Sequence, residues 1–538
     1  MSSHYKSTAK LYRKNETTKY LCMIIDDLFF NFSTFAAKIQ QTSSIMSYSN
    51  TSRPLTDTKV LILFTLWSFV IQLFLSNDSP FFGLAHHLDS AWFFMEGKAF
   101  FYGMRPYVEF TDFKGPIIWL FYGIGWLISP LNYHGMYVVS GVFYALTLFF
   151  NYKTAKIFLK SDGRSLAATL PMIFVYFFPW FHFETRSEDL MLLFVAISLY
   201  ALFKRLYAEE RHDVADFMML GGCFTVLVLM KYNIAAVQGI MVLVALWDQY
   251  KNKRGLAKPF LWMIVISVLI AAPFIIYFIM TDTLGAFFHN YFVLAYETVM
   301  LEDSDSPSYM QDLAGVLADY RKIVFIVAVF VSGMLLSLKL KKYKYVPVAI
   351  GLIFIAMSTR HNVWNYYYGV CYIFVLYLFI DVLLIMNQRV RLIGYGLLAS
   401  YITLYCVYGN LMGGELRQNT IFTHNEDRES FQAISDVMKD VKNPRLLSYA
   451  CQEFGFGVMY HALPAGDQFA YPNGGTPPMI RDHKKILTDR KADFVVTYCK
   501  DDDTEKFQVL RDIEAAGYEL RLKRTYMNLP FYIYEKKK

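Results

Sequence analysis

The sequence predicts an α-helical polytopic membrane protein with a small polar α/β tail, on three observations. Of 538 residues, 55% are hydrophobic and only 18% charged, where a soluble domain averages about 25% charged. The apolar residues come in long runs with almost no charge, as at 60–75, 260–280, 323–338 and 370–386. About 20 such residues, at about 1.5 Å rise each, cross a hydrocarbon core of about 30 Å. Third, connections rich in Lys and Arg alternate with connections that have almost none, as in a chain threading a bilayer. The apolar content excludes a disordered chain, and six Cys exclude a disulfide scaffold. The net charge of +7 is carried by loops, and no nucleic-acid partner is expected.

Taken in order, residues 1–57 form a basic N-terminal segment with Lys6, Lys10, Arg13, Lys14 and Lys19 and no cleavable signal peptide. Its stretch 20–39 is apolar but holds Asp26, Asp27 and Lys38; an interfacial helix and a basic tail are both open readings. About eleven spans follow between 58 and 410, at 58–75, 135–152, 165–181, 189–203, 217–230, 232–247, 259–280, 322–338, 346–357, 366–386 and 392–410. The segment 116–129 is too short to cross, at about 20 Å of helix, and is assigned to the first outer loop as a re-entrant or surface helix. The basic connections 152–164, 204–216, 248–258, 339–345 and 387–391 face the cytoplasm. Residues 281–320 hold seven carboxylates and no Lys or Arg. The N-terminus is therefore expected in the cytoplasm, and the loops 76–134 and 281–320 outside it.

After 410 the composition turns polar. Strand-like stretches at 445–450, 493–499, 518–526 and 531–534 alternate with helix-like ones at 429–441 and 504–516. Residues 411–538 are expected to form a small extracytoplasmic α/β domain over the outer mouth of any site, shaping acceptor binding. Cys451 and Cys499 are both in it, and a disulfide between them is one of two alternatives.

Three polar clusters all fall on the outer side. The first runs from His86 through Asp89, Trp92, Phe93 and Glu96, then through Tyr107, Glu109, Asp112, Lys114, Gly115 and Pro116. On a helix starting near Leu88, Asp89, Trp92, Phe93 and Glu96 share a face, with Asp89 at the end where the dipole favours a carboxylate. Asp89 reads either as a catalytic carboxylate or as a plain N-cap. The second cluster is His182, Glu184, Arg186, Glu188 and Asp189, costly at a membrane surface unless it faces water or a ligand; a solvated turn capped by Asp189 is the alternative. The third is Arg360 and His361 beside Trp364, Tyr366, Tyr367 and Tyr368, able to grip a phosphate or a sugar, or to serve as an interfacial belt. A transporter would instead place paired charges near the midplane, on broken helices and within internal repeats. No repeat is evident, no charge falls near the centre of a span, and Lys231 sits at a turn, so chemistry at the outer surface is favoured.

The stretch Asp89-Ser-Ala-Trp-Phe-Phe-Met-Glu-Gly-Lys, followed by Gly103-Met-Arg-Pro-Tyr-Val-Glu-Phe-Thr-Asp112-Phe-Lys114-Gly-Pro116, resembles the first-loop signature of bacterial polyprenyl-phosphate-sugar glycosyltransferases. These are GT-C superfamily enzymes related to protein O-mannosyltransferases and to the aminoarabinose transferase of lipid A. Residues 184–190 resemble the family's second acidic motif, Lys231-Tyr-Asn a later Lys segment, and 471–497 part of its soluble tail. Glu109 stands where the family usually has Asp, and Asn365 where it often has His.

The resemblance implies a GT-C-like module at 58–410 that moves a sugar from a polyprenyl-phosphate donor to a glycan, lipid or protein acceptor outside the cytoplasm, with inversion, at the cell membrane. It implies Asp89 as base, with Asp189 or Glu188 as a second carboxylate, and Lys114, Arg186 and Arg360 on the donor phosphate. Trp92, Tyr107, Glu109, Asp112 and His361 would line the substrate. A lipid phosphate leaves without a nucleotide, so no cofactor or metal is required, although a divalent ion at Asp89 and Glu188 stays open. The sequence leaves oligomeric state open. An exporter and a polysaccharide polymerase or ligase are the rival readings.

Overall fold

The structure, a computed structural model, describes residues 55–82, 89–178, 185–209, 212–294, 309–359, 365–385, 388–413, 426–453, 455–458, 461–471, 477–498, 506–526 and 529–538. The basic leader, Arg360, His361 and Cys499 lie outside the described residues. In the first part of the chain the helices are α1 (Asp57–Leu75), α2 (Asp89–Phe101), α3 (Pro116–Ile128), α4 (His134–Leu159), α5 (Asp162–Thr169), α6 (Met172–Tyr176), α7 (Ser187–Tyr207), α8 (Asp213–Val228), α9 (Tyr232–Lys251) and α10 (Ala257–Met280). A short α11 (Leu284–Phe288), α12 (Tyr309–Ala318), α13 (Tyr320–Leu338), α14 (Val346–Thr359), α15 (Leu376–Ile385) and α16 (Gln388–Gly413) follow. Seven described helical segments are long and apolar enough to cross a membrane: Asp57–Leu75, His134–Leu159, Ser187–Tyr207, Ala257–Met280, Tyr320–Leu338, Tyr367–Leu384 and Arg391–Gly409.

Two expectations need correction. The run 165–181 is not one helix but α5 and α6, with Pro171 at the break, where a residue without N–H cannot continue the ladder. The run at 366–386 is not free of charge: Asp381 is 5% exposed inside it, and both carboxylate oxygens lack a hydrogen-bond partner. Hydropathy averaging hid it, because one carboxylate among twenty apolar residues barely moves the mean.

α4 contacts α1, α3 and α7, while α8 contacts α7, α9 and α10. α3 opens with Pro116 in its first turn, where the missing N–H costs nothing. It crosses α2 backbone to backbone, since a Cβ on Gly97 would lie 2.5 Å from the Gly123 nitrogen. That close approach fixes α2, and with it Asp89, on the helical body.

The tail folds as α17 (Glu426–Met438), β1 (Arg445–Ser448), β2 (Leu463–Pro464), α18 (Pro477–Thr488), β3 (Phe494–Tyr498), α19 (Lys506–Ala515), β4 (Tyr518–Tyr526) and β5 (Leu529–Lys536). The sheet order is β2-β1-β3-β5-β4. β1 runs parallel to β2 and β3, and β5 runs antiparallel to β3 and β4. Alternation explains its two buried faces: Phe494, Val496, Phe531 and Ile533 enter one core, and Val495, Tyr532 and Tyr534 the other. β2 and α18 had no sequence prediction; β2 has only two residues, too few for any period to register.

This sheet domain docks on α2. Trp92 packs against Phe469 at a tilt with ring centroids 4.8 Å apart, Lys98 Nζ donates to the Gly457 carbonyl at 2.6 Å, and Tyr102 Oη donates to Asn443 Oδ1 at 3.2 Å. Desolvation brings the buried Lys98 ammonium down to about 7 against the opposing pull of Glu453.

Candidate active site

Asp89 is the first residue of α2, and its end of the helix is tied down by neighbours. Ser90 Oγ donates to the Thr185 carbonyl at 2.5 Å, as does Tyr122 Oη from α3. Thr185 donates in turn, through N–H and hydroxyl, to Asp78 Oδ2. The first outer loop and the second acidic motif are thus one junction. Asp78, which sequence reasoning passed over, is a buried anchor of that junction.

The second junction carries the cations. The Gly115 N–H donates to the Met230 carbonyl at 3.0 Å, and the Ile117 N–H to Leu229 at 3.2 Å. The segment after Lys114 therefore lies on the turn before Lys231. A Cβ on Gly115 would fall 2.1 Å from the Leu229 oxygen, so glycine is required there by the approach of another backbone. Gly115→Ala should cost about 1–3 kcal/mol of stability and displace Lys114 from Lys231. Thermal melts with donor-binding measurements on the purified variant check both losses.

Lys114 stands among the acids. Its Nζ is 3.5 Å from Asp112 Oδ2 and 4.9 Å from the Phe93 ring centroid. Burial alone would lower its pKa, but Asp112 and Asp89, with Tyr367 and Glu188 behind them, more than offset this and hold the ammonium firmly charged. Lys231 Nζ lies 2.5 Å from Glu188 Oε1 and 3.8 Å from the Tyr367 ring centroid. Ser187 Oγ donates to the other Glu188 oxygen at 2.8 Å. The fold has gathered Asp89, Asp112, Lys114, Glu188 and Lys231 from three distant segments.

Other predicted residues take supporting positions. Asp189 Oδ2 accepts from the Arg186 N–H at 2.7 Å, capping its own helix. Glu109 folds back on its turn, accepting from the Arg105 N–H at 2.8 Å and lying 3.6 Å from the Arg105 guanidinium. Tyr107 adopts a left-handed φ of 61° and packs on Trp119, Phe278 and Phe287; its hydroxyl donates to the Lys114 carbonyl at 3.2 Å. It shapes the loop that carries Lys114.

Glu96 lies two turns along α2 from Asp89. It is fully buried, accepting from Trp92 Nε1 at 3.1 Å and from Trp119 Nε1 at 2.9 Å. Burial, then the Asp112 carboxylate, hold its carboxyl well above the usual range, as for paired acids in an apolar site. A carboxyl held up in this way keeps its proton to higher pH than an exposed glutamate does. Infrared spectra across a pH titration should show a protonated carboxyl band that persists above the pH at which exposed carboxylates ionise and is lost in Glu96→Gln; a band unchanged by Glu96→Gln would place that proton elsewhere.

Asp89, Trp92, Phe93, Asp112 and Lys114 line a cavity of about 90 Å³, which the sheet domain roofs with Gln452, Glu453, Gln468 and Tyr471. A cation and carboxylates here share a polar chamber with aromatic walls.

Residues 114–277 match the family of dolichyl-phosphate-mannose-protein mannosyltransferases. Among solved structures, ArnT from Cupriavidus metallidurans bound to undecaprenyl phosphate has the same fold. It superposes with a TM-score of 0.57 at 11% identity, covering 88% of this chain and 97% of that one. ArnT in the apo state gives 0.43 at 11% identity, covering 88% and 97% of the two chains. The Archaeoglobus fulgidus oligosaccharyltransferase in the apo form gives 0.42 at 11% identity, covering 86% and 73%. No curated protein matches the sequence. Residues 114–277 are thus similar in sequence to that mannosyltransferase family, and the chain shares the ArnT fold over most of its length.

Proposed function

We propose that the protein transfers a sugar from a polyprenyl-phosphate donor to an acceptor on the extracytoplasmic face of the membrane. The observation that carries this is Lys114, which lines the cavity with Asp89, and Lys231, brought next to it by the Gly115–Met230 junction. Two fixed ammonium groups suit a phosphate whose lipid tail stays in the bilayer. The likeness in fold to a protein solved with undecaprenyl phosphate supports the same donor class.

In this reading the acceptor hydroxyl attacks the anomeric carbon, and its proton passes to Asp89. The bond from that carbon to the phosphate oxygen breaks, and the departing phosphate is stabilised by Lys114 and Lys231. Glu188 holds Lys231 in place, and Asp189 serves α7 as a cap. Arg186 and Arg360 remain proposed phosphate ligands, and His361 a proposed sugar contact. The sheet domain and the loops that pack on it lie outside the cytoplasm, with residues 1–57 inside.

The test is product analysis by mass spectrometry, with purified protein, polyprenyl-phosphate sugars and extracted envelope acceptors. A glycosylated acceptor with release of free polyprenyl phosphate is the expected result. Movement of lipid without loss of its sugar would mark an exporter, and use of a diphosphate-linked chain would mark a polymerase or ligase.

A further inference from the structure

The cavity has hydrogen-bonding capacity that the residues assigned above do not use. Thr111 Oγ1, Asp112 Oδ2 and Gln468 Oε1 are buried in its wall and make no hydrogen bond. Thr111 is 5% exposed and Gln468 3%. A buried polar atom without a partner costs about 1–3 kcal/mol, and native proteins retain few of them. Asp112 Oδ2 has the Lys114 ammonium at 3.5 Å, so Thr111 and Gln468 are the two that call for a ligand, with Asp112 able to accept from it as well.

Gln468 is held in a built frame. Its carbonyl accepts from His483 Nδ1 at 2.8 Å, and His483 Nε2 accepts the Ala450 N–H at 3.1 Å, which fixes the imidazole tautomer. The next residue, Phe469, accepts from the Ser448 N–H at 2.8 Å and packs against Trp92. The backbone of Gln468 is therefore positioned from both the sheet and α2.

The volume and charge of the chamber narrow the ligand. About 90 Å³ equals roughly three waters at about 30 Å³ each, room for the hydroxyl-bearing edge of one ring and not for a chain. Its charged lining is Asp89, Asp112 and Glu453 against Lys114. The threonine hydroxyl and the glutamine amide can turn to donate or accept, but Asp112 only accepts when ionised. Hydroxyl groups satisfy this set, whereas a carboxylate on the ring would meet Asp112 at close range. Because Lys114 borders the same chamber, a ring here is one bond from the phosphate that Lys114 would bind.

We infer that this cavity takes the hydroxyl-bearing edge of the transferred sugar, that Thr111 and Gln468, with Asp112, are its hydroxyl ligands, and that the ring is a neutral monosaccharide and not a uronic acid. The inference rests on the polyprenyl-phosphate donor reading. It gives the sheet domain a part in donor selection, beyond the acceptor binding expected from sequence.

The experiment measures binding to the full-length protein in nanodiscs, by native mass spectrometry. The probes are sugar-free polyprenyl phosphate and polyprenyl phosphates carrying neutral hexoses, pentoses or hexuronates. Gln468→Met and Thr111→Val keep side-chain size, and each should weaken the best neutral donor about tenfold, as expected for one lost hydrogen bond. Binding of the sugar-free lipid should not change, and Thr111→Ser should restore the donor. Hexuronate donors should bind the unaltered protein at least tenfold more weakly than neutral ones. Equal donor binding in variants and unaltered protein overturns the inference, as does equal weakening of sugar-free and sugar-bearing lipids. Preference for hexuronates overturns the assignment of ring charge. If the unaltered protein binds no polyprenyl phosphate at all, the donor reading fails, and this inference fails with it.

Discussion

Asp89→Asn should lower turnover by about 10²-fold or more without loss of folded protein, because it removes the titratable group and preserves its shape. Asn caps a helix about as well as Asp, so a merely structural Asp89 would leave turnover intact. Asp89→Glu orders the two readings the other way: a displaced carboxylate retains some activity as a base, while Glu is a poor cap. The surrounding structure sharpens the contrast. α2 is already secured by Ser90 and Tyr122 on Thr185 and by Gly97 against Gly123, so the helix start does not depend on Asp89 alone. Turnover of the three proteins, normalised to monodisperse yield, decides between them. An active Asn variant would move the base to Asp112, which shares the cavity, since Asp189 is committed to the Arg186 N–H.

Lys231→Met should abolish donor binding and also destabilise the protein, and the double variant Glu188→Gln/Lys231→Met separates these effects. The pair lies at 2.5 Å, with Lys231 9% and Glu188 3% exposed. Removing one partner leaves a buried charge uncompensated, at a cost of about 3–5 kcal/mol. Removing both charges relieves most of that cost, as buried pairs replaced together are often neutral. The double variant should therefore melt near the unaltered protein yet remain unable to bind polyprenyl phosphate. Recovery of binding together with stability would reduce Lys231 to a structural partner of Glu188.

Much of the fold was legible because membrane insertion and strand alternation leave local marks. Hydropathy located helices at Asp57–Leu75, Ala257–Met280 and Tyr320–Leu338 to within a few residues, and period two located β3 and β5. Pro171 divided a span, and Asp381 lay inside another. Both are single-residue effects that window averages dilute. Within the site, Asp89, Asp112 and Lys114 were chosen from one loop and do share a cavity. Lys231 drew notice as a charge at the turn between two spans and through a motif, but neither assigned it a role, although a lone cation between two apolar runs is itself a signal.

The sequence by itself determined that this is a polytopic membrane protein with an α/β tail, and that its polar residues of consequence belong to a few loops. Hydrophobic periodicity and charge alternation are local properties, readable wherever the chain ends up. Only the tertiary structure decided which residues meet. Gly115 accepts the Leu229 backbone and so sets Lys114 beside Lys231; Glu188 is drawn to that lysine, and Asp189 turns back to its own helix end. Glu96 lies beneath two indoles, and Lys98 meets a carbonyl 359 residues away. Contacts across such separations depend on the shape of two surfaces at once, for which no stretch of sequence carries a period or a spacing.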